Sequence, residues 1–203
     1  MKQPRFTVRD WIYIAVFGAL WGALELTLGG YLHTLFPPLT NTLLTGVIMG
    51  GLGAATALVG RHFVPKRGAV LGIGCITALL KLLSLGGVVV GPLVAILAEA
   101  VLMEIALLPG KAPTRAHYVL AGALAVSWNF FHPFVMLPVL YGMGSQQALL
   151  KSIKDGSQIL GLDEGQAAFI LGLLLLLRVA VGGLSGWLAW DLGRAVGRRL
   201  ARE

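Results

Sequence analysis

Residues 11–28 read WIYIAVFGALWGALELTL, an apolar run in which Glu25 is the only charge. The core of a signal peptide is about 7–15 residues long and uncharged. This run is longer, and it carries Glu25 and the bulky Trp11 and Trp21. It predicts a helix that is retained, running roughly from Asp10 to Leu28, and not a cleaved leader. A retained apolar helix at the start implies a bilayer protein, and the rest of the chain reads the same way.

Of the 203 residues, 57% belong to the hydrophobic set and 12% are charged. Soluble domains carry about 25% charged residues. A spanning helix needs about 20 apolar residues, so six such helices and short loops nearly exhaust the length. The expected fold is all-α: a polytopic membrane protein of six transmembrane helices forming a single domain over 1–203. The formal net charge is +7, but the basic residues sit at helix ends and not along one amphipathic face, which points away from nucleic acid. Cys75 is the single cysteine. It rules out an intramolecular disulfide and a multi-cysteine metal centre, and it reads as a small apolar residue.

Working outward, Gly29, Gly30 and Phe36-Pro37-Pro38 predict a turn-rich outer loop. Helix 2 is expected over about Leu39–Val59, helix 3 over Gly68–Leu83 and helix 4 up to Leu108, with Pro92 marking the turn before it. Helix 5 is expected over Ala116–Tyr141, kinked at Pro133 and Pro138. Helix 6 is expected from Glu164 past Trp190, opened by a capping box of Asp163 and Gln166. Between the last two lies an amphipathic stretch, Ser145–Leu160, broken at Gly156 and Gly161 and expected to lie at the interface as a lid or a connector. Lys2, Arg5, Arg9, Arg61, Lys66, Arg67, Lys111, Arg115, Arg194, Arg198, Arg199 and Arg202 all fall on one side of six crossings. The loops after helices 1 and 3 carry no Lys or Arg. The positive-inside rule then predicts both termini in the cytoplasm.

Ionisable side chains inside a bilayer are costly, about 2.5–3.5 kcal/mol each on insertion scales, and so mark sites. Five occur here: Glu25, Lys81, Glu99, Glu104 and Arg178. Helix 5 adds Trp128, Asn129 and His132, which share a face at three- and four-residue spacing. Pro133 frees the Asn129 carbonyl. Trp21 lies one turn from Glu25, and Tyr141 closes helix 5. A substrate pocket of Trp21, Glu25, Lys81, Glu99, Trp128, Asn129, His132 and Tyr141 is expected in the outer half. The same charges also fit structural ion pairs, Glu25 with Lys81 and Arg178 with Glu99 or Glu104. No second His or Cys stands at ligand spacing, so no metal and no cofactor is expected.

Ala15, Ala19 and Ala23 form a four-spaced stripe that turns away from Trp21 and Glu25. Small residues at this spacing let another helix approach closely, and Gly46 and Gly50 repeat the pattern. The alanine stripe resembles the Ala-x-x-x-Ala signature in helix 1 of the substrate-binding S components of energy-coupling factor (ECF) vitamin transporters. The Gly/Pro-rich segment from Gly29 to Pro38 resembles their gate loop. The six-helix, N-in topology and the outer position of the polar cluster are similar as well.

The resemblance implies an importer subunit in the cell membrane that binds a small-molecule substrate from outside and does not hydrolyse ATP. The chain has no Gly-x-x-x-x-Gly-Lys-Ser/Thr loop. Its implied partners are a transmembrane T component, met through Ala15, Ala19 and Ala23, and two ATPases. Gly29, Gly30, Tyr31 and Gly156 would belong to gating segments. The metal-binding N-terminal extension of nickel and cobalt members is not seen before Met1-Lys2-Gln3, which makes an organic substrate the expectation. The Glu99 and Glu104 region of helix 4 resembles the thiamine and hydroxymethylpyrimidine branch. Two other classes are open to such a chain. One is an autonomous small-solute channel or exporter. The other is an intramembrane enzyme, since Gly183-Leu184-Ser185-Gly186 matches a rhomboid-type nucleophile pattern, although His132 precedes the serine and lies at the other end of the bundle.

Overall fold

A computed structural model describes residues 5–35, 42–83, 90–109, 112–142 and 144–200. Every regular element among the described residues is a helix, with no strand: α1 Val8–Leu35, α2 Thr42–Phe63, α3 Ala69–Lys81, α4 Val90–Ala106, α5 Arg115–Tyr141, α6 Ser145–Leu160 and α7 Ala167–Leu200, the last preceded by a single 3-10 turn at Glu164–Gln166. Among the described residues, three segments are long and apolar enough to cross a membrane: Val8–Gly29, Arg115–Leu140 and Glu164–Arg199. These are compatible with membrane localisation. At 13 residues α3 is apolar but short. At 1.5 Å per residue it covers about 20 Å, less than the hydrocarbon thickness of about 30 Å.

Several boundaries differ from the sequence reading. Helix α1 continues through Gly29, Gly30 and Tyr31 to Leu35, so no loop begins at Gly29. Glycine weakens a helix by about 1 kcal/mol against alanine, but where water is scarce a broken ladder leaves amides unpaired, which is worse. The remainder of the expected gate loop, residues 36–41, lies outside the described residues. Pro92 sits in the first turn of α4 instead of in a loop, where its missing N–H costs no helical bond. Pro133 and Pro138 lie inside a continuous α5. The reciprocal capping box does not form. The Asp163 carboxylate accepts from the Gly165 amide at 2.7 Å, while the Gln166 amide donates to the Asp163 carbonyl at 3.0 Å, because the first turn is wound as 3-10.

The stretch from Ser145 is one helix that stops only at Gly161, whose φ of 65° is the left-handed end. Gly156 does not break it. It is buried, and a Cβ there would stand 2.5 Å from Ile170 Cγ2 and 2.8 Å from Leu174 Cδ1. Its missing side chain is what lets α6 lie on α7.

Glycine sets the tightest contacts. Helices α5 and α7 meet backbone to backbone at Gly122, Gly182 and Gly186. A Cβ at Gly122 or Gly182 would overlap the other's carbonyl, and one at Gly186 would overlap the Tyr118 carbonyl. Helix α1 packs on α3 through Gly18 against Ile76 and Gly22 against Leu80. Thr77 Oγ1 fastens the same contact by donating to the Gly18 carbonyl at 3.0 Å. Ala15, Ala19 and Ala23 are exposed, so the alanine stripe is not the face that α1 packs inward. Around these contacts one apolar core gathers Ile14, Trp21, Leu58, Ile73, Met103 and Tyr118.

The end of the bundle where α1 starts is tied by polar contacts. Lys66 pairs with Asp10 at 2.5 Å, and Arg115 pairs with Asp191. Helix α3 has no side-chain cap of its own at Gly68. Glu104 of α4 supplies one, accepting from the Gly68 and Val70 amides at 2.6 and 3.1 Å. A carboxylate at a helix N-terminus satisfies open amides and meets the favourable end of the dipole.

Replacing Gly186 by leucine should push α5 and α7 apart and cost about 3 kcal/mol or more, the upper range for overpacking. Gly172, which meets nothing within 4 Å, is the control. Its change to alanine should leave the melting temperature in detergent unchanged or slightly raised. Equal melting of both variants with the parent protein would mean the α5–α7 contact is not as close as described.

Candidate functional site

A cavity of about 260 Å³ opens among α1, α2, α3, α4 and α5. Glu25 reaches it from α1, Lys81 from α3, Glu99 from α4, and Asn129 and His132 from α5. Five of the eight expected pocket residues therefore line one space, although they come from four helices far apart in sequence. Their spacing within α5 explains part of this, since Asn129 and His132 lie on one face.

Each polar group has a specific tether. The Lys81 ammonium donates to the Glu25 carboxylate at 3.4 Å and to the Glu25 carbonyl at 3.2 Å. Both side chains are 14% exposed. This joins α1 to α3 across the cavity and realises the ion pair the sequence offered. Asn129 Nδ2 donates to Glu99 Oε1 at 2.9 Å and to the Gly46 carbonyl at 3.2 Å. His132 Nε2 lies 2.9 Å from the Gly91 carbonyl. A carbonyl can only accept, so Nε2 carries the proton and Nδ1 is left as an acceptor in the neutral ring.

Helix α2 makes the space. Gly46 and Gly50 line the cavity with Thr45 and Met49. A Cβ on Gly50 would stand 2.5 Å from Asn129 Nδ2. The small four-residue spacing of α2 is therefore a seat for the Asn129–Glu99 bond, beyond a simple packing motif. Pro92, Ala95 and Ile96 of α4 complete the apolar wall. Sequence reasoning did not assign these residues to the pocket. The Gly46/Gly50 spacing was a usable signal, whereas nothing marked Thr45, Met49 or the α4 wall.

The two tryptophans of the expected pocket do not line it. Trp21 is fully buried and lies against Gly53, where a Cβ would meet its Nε1. It packs one turn deeper than Glu25, in a slot that α2 provides. Trp128 meets the His132 ring edge-on, with centroids 6.2 Å apart, yet it does not line the cavity. The indole N–H groups of both tryptophans are buried without a hydrogen-bond partner. The side chains of Tyr31 and Tyr141 lie outside the described residues. Gly29 does line the cavity, but as part of helix α1.

Glu104 serves α3, and Glu99 is held by Asn129, so neither carboxylate pairs with Arg178. Arg178 is fully buried, donates to the Leu174 carbonyl at 2.9 Å and places its guanidinium 5.7 Å from the Phe130 ring centroid. Ser185 Oγ donates to the Val181 carbonyl and abuts Gly51, while His132 is engaged by Gly91. The two do not form a nucleophile–base pair. Among the described residues no group of three or more His, Cys, Asp or Glu side chains is placed to hold a metal ion.

The arrangement can hold a small polar solute. Drug-sized ligands occupy pockets of about 300–1,000 Å³, so this one suits something smaller. Asn129→Leu should cost about 1–3 kcal/mol of stability, because it leaves the Glu99 carboxylate buried without its donor. Adding Glu99→Leu should restore most of the loss, since no buried polar group then remains without a partner. Thermal unfolding of the two single variants and the double in detergent checks this. Purely additive losses would show that the two side chains are not coupled. Compared with family models, curated proteins and solved structures, the chain gives no match.

Proposed function

We propose that this chain is the substrate-binding membrane subunit of an ECF-type importer, capturing a vitamin or vitamin precursor from the extracellular side. The observation that carries the reading is the cavity in which Glu25, Lys81, Glu99, Asn129 and His132 converge from four helices. Convergent polar groups in an otherwise apolar bundle mark a solute site better than they mark a scaffold. The exposed Ala15, Ala19 and Ala23 stripe supports the reading from the other side of α1. It leaves a flat strip for a further helix, the T component of the proposed complex, with two ATPases beyond it.

In this reading the bundle crosses the cell membrane six times with both termini in the cytoplasm. The end tied by Lys66, Asp10, Arg115 and Asp191 faces the cytoplasm, and the cavity opens toward the outside. Thiamine or its pyrimidine precursor is the proposed substrate. Both present ring nitrogens and an amino group to the acidic and amide side chains, and both are small enough for the space. Helix α6 would lie along the outer surface, its inner face of Ala148, Ser152 and Gly156 buried.

Two experiments test the proposal. Mass spectrometry of small molecules that co-purify with the protein should recover one such compound, lost in Glu25→Ala and in Asn129→Ala. Equal recovery from both variants would move the site elsewhere. For the topology, single cysteines in a Cys75→Ser background are labelled in intact cells with a membrane-impermeant maleimide. Lys154→Cys should react from outside, and Arg199→Cys only after lysis. Labelling of both from the same side would overturn the six-span arrangement.

A further inference from the structure

Charge in the cavity is confined to one pair. The Lys81 ammonium is held on Glu25, and among the described residues it is the only cation that lines the space. Glu99 is buried, and its carboxyl group is met by a neutral donor, the Asn129 amide at 2.9 Å. Arg178 lies with Leu174 and Phe130 and brings no charge to it. A buried carboxyl group that faces no cation keeps its proton, because ionising it there costs more than one amide bond returns. Thr45, Gly46, Met49 and Gly50 on α2, with Pro92, Ala95 and Ile96 on α4, add no charge. Glu25 and Lys81 cancel, so the walls are neutral as a whole.

The open hydrogen-bonding atoms have a pattern of their own. Both Nδ2 hydrogens of Asn129 are used, on Glu99 and on Gly46, so its remaining polar atom is the acceptor Oδ1. His132 donates from Nε2 to Gly91 and keeps Nδ1 as an acceptor. Glu99 accepts from Asn129 at Oε1, and its Oε2 accepts no bond among the described residues. With its proton there, Glu99 offers the space an O–H. The scaffold therefore takes up the amide donors and leaves two acceptors and one hydroxyl donor.

We infer that the cavity takes an uncharged solute with N–H donors beside an acceptor, the edge of a primary amide or an aminopyrimidine, and that Glu99 meets it as a neutral acid. The inference rests on reading the cavity as a solute site and names the class of solute. A cation or an anion would give up its hydration for walls whose two charges already face each other. An uncharged amide-like edge gives up less water and matches the open atoms in kind: its N–H groups suit Asn129 Oδ1 and His132 Nδ1, and its acceptor suits the Glu99 hydroxyl. Of the two compounds proposed above, this selects the pyrimidine precursor over thiamine, whose thiazolium ring carries a fixed charge.

The test uses three probes of nearly one shape and three charges: benzamide, benzamidinium and benzoate. Binding to the purified full chain in detergent is measured by titration calorimetry, in two buffers of different ionisation enthalpy so that proton exchange is counted. Benzamide should bind about tenfold or more tighter than either ion, with no net proton uptake or release. Glu99→Gln keeps a donor and an acceptor without a carboxyl group, so benzamide affinity should stay within about threefold of the parent. Glu99→Met removes both, and benzamide should weaken by about tenfold or more. Infrared spectra should show the carbonyl stretch of a protonated carboxyl group that disappears in Glu99→Gln. The probe order and the proton count are read on the parent protein, so they stand even where a variant fails to purify.

Tightest binding of either ion overturns the inference while leaving a solute site in place. Benzamidinium bound with release of a proton, and lost in Glu99→Gln, would mark a carboxylate anchor. Benzoate lost in Lys81→Met would mark Lys81 instead. Equal affinity for the three probes, or benzamide binding that Glu99→Met leaves unchanged, overturns it as well. If none of the three binds, the compound that co-purifies decides: an uncharged one with N–H groups upholds the class, and a charged one rejects it. With no probe bound and no solute recovered, the solute-site reading itself fails.

Discussion

The hydrogen bond from Asn129 to Glu99 is possible only because Gly50 has no side chain. A carboxylate inside an apolar bundle has to be met by a donor, or its burial costs several kcal/mol. Helix α5 supplies that donor at 2.9 Å, and it reaches α4 across α2. Any side chain at position 50 would occupy the place of the amide nitrogen. Three helices are thereby fixed relative to one another by one polar contact and one absence. Asn129 then reaches the Gly46 carbonyl, one turn along α2, so both of its donor hydrogens are used by the scaffold. The cavity exists beside this contact and depends on it.

The same principle runs through the rest of the bundle. In a mostly apolar chain, shape matters more than hydrophobic burial for choosing partners, because lipid and protein interior are similar solvents for a leucine. Close approach then falls to glycine. Gly182 and Gly186 bring α7 onto the α5 backbone, Gly18 and Gly22 bring α1 onto α3, and Gly156 brings α6 onto α7. Polar side chains are spent where helix ends would otherwise be open. Glu104 closes the start of α3, and Asp10 with Thr7 and Lys66 closes the start of α1. What remains after these uses is the set around the cavity, where Glu25 is paired with Lys81 and Glu99 is held by Asn129.

This division explains what could be read in advance. Glu25, Lys81, Glu99, Asn129 and His132 stood out because such groups are expensive in apolar helices, and the rule that finds them does not depend on tertiary contacts. Glu104 and Arg178 stood out by the same rule but serve the scaffold, since cost marks a buried charge without saying what it binds. Trp21 was misplaced for a different reason. A helical wheel puts Trp21 on the face of Glu25, but whether an indole lines a space or fills one is decided by the opposite helix, here by Gly53. The end of α1 failed because Gly29 and Gly30 were read as punctuation, a rule learned where water can satisfy a broken backbone. Gly156 failed likewise: its contacts belong to α7, and nothing in α6 alone reveals them.

Helix α1 is where site and surface meet. Ile14, Gly18, Trp21, Gly22 and Glu25 follow one face inward, while Ala15, Ala19 and Ala23 follow the other outward. Lipid-facing positions usually gain from large apolar side chains, which fill the space between acyl chains. Ile12, Val16 and Leu20 on the same helix are large, apolar and exposed. The line of methyl groups beside them gains little from lipid and presents a shallow strip at small-residue spacing. The inward glycines hold α1 tightly on α3, and Glu25 with Lys81 ties the pair again at the cavity. In the proposed reading a partner on the alanine face and a solute beside Glu25 would therefore act on one rigid element. No long relay is needed between them, because the helix itself, about one diameter thick, is the connection.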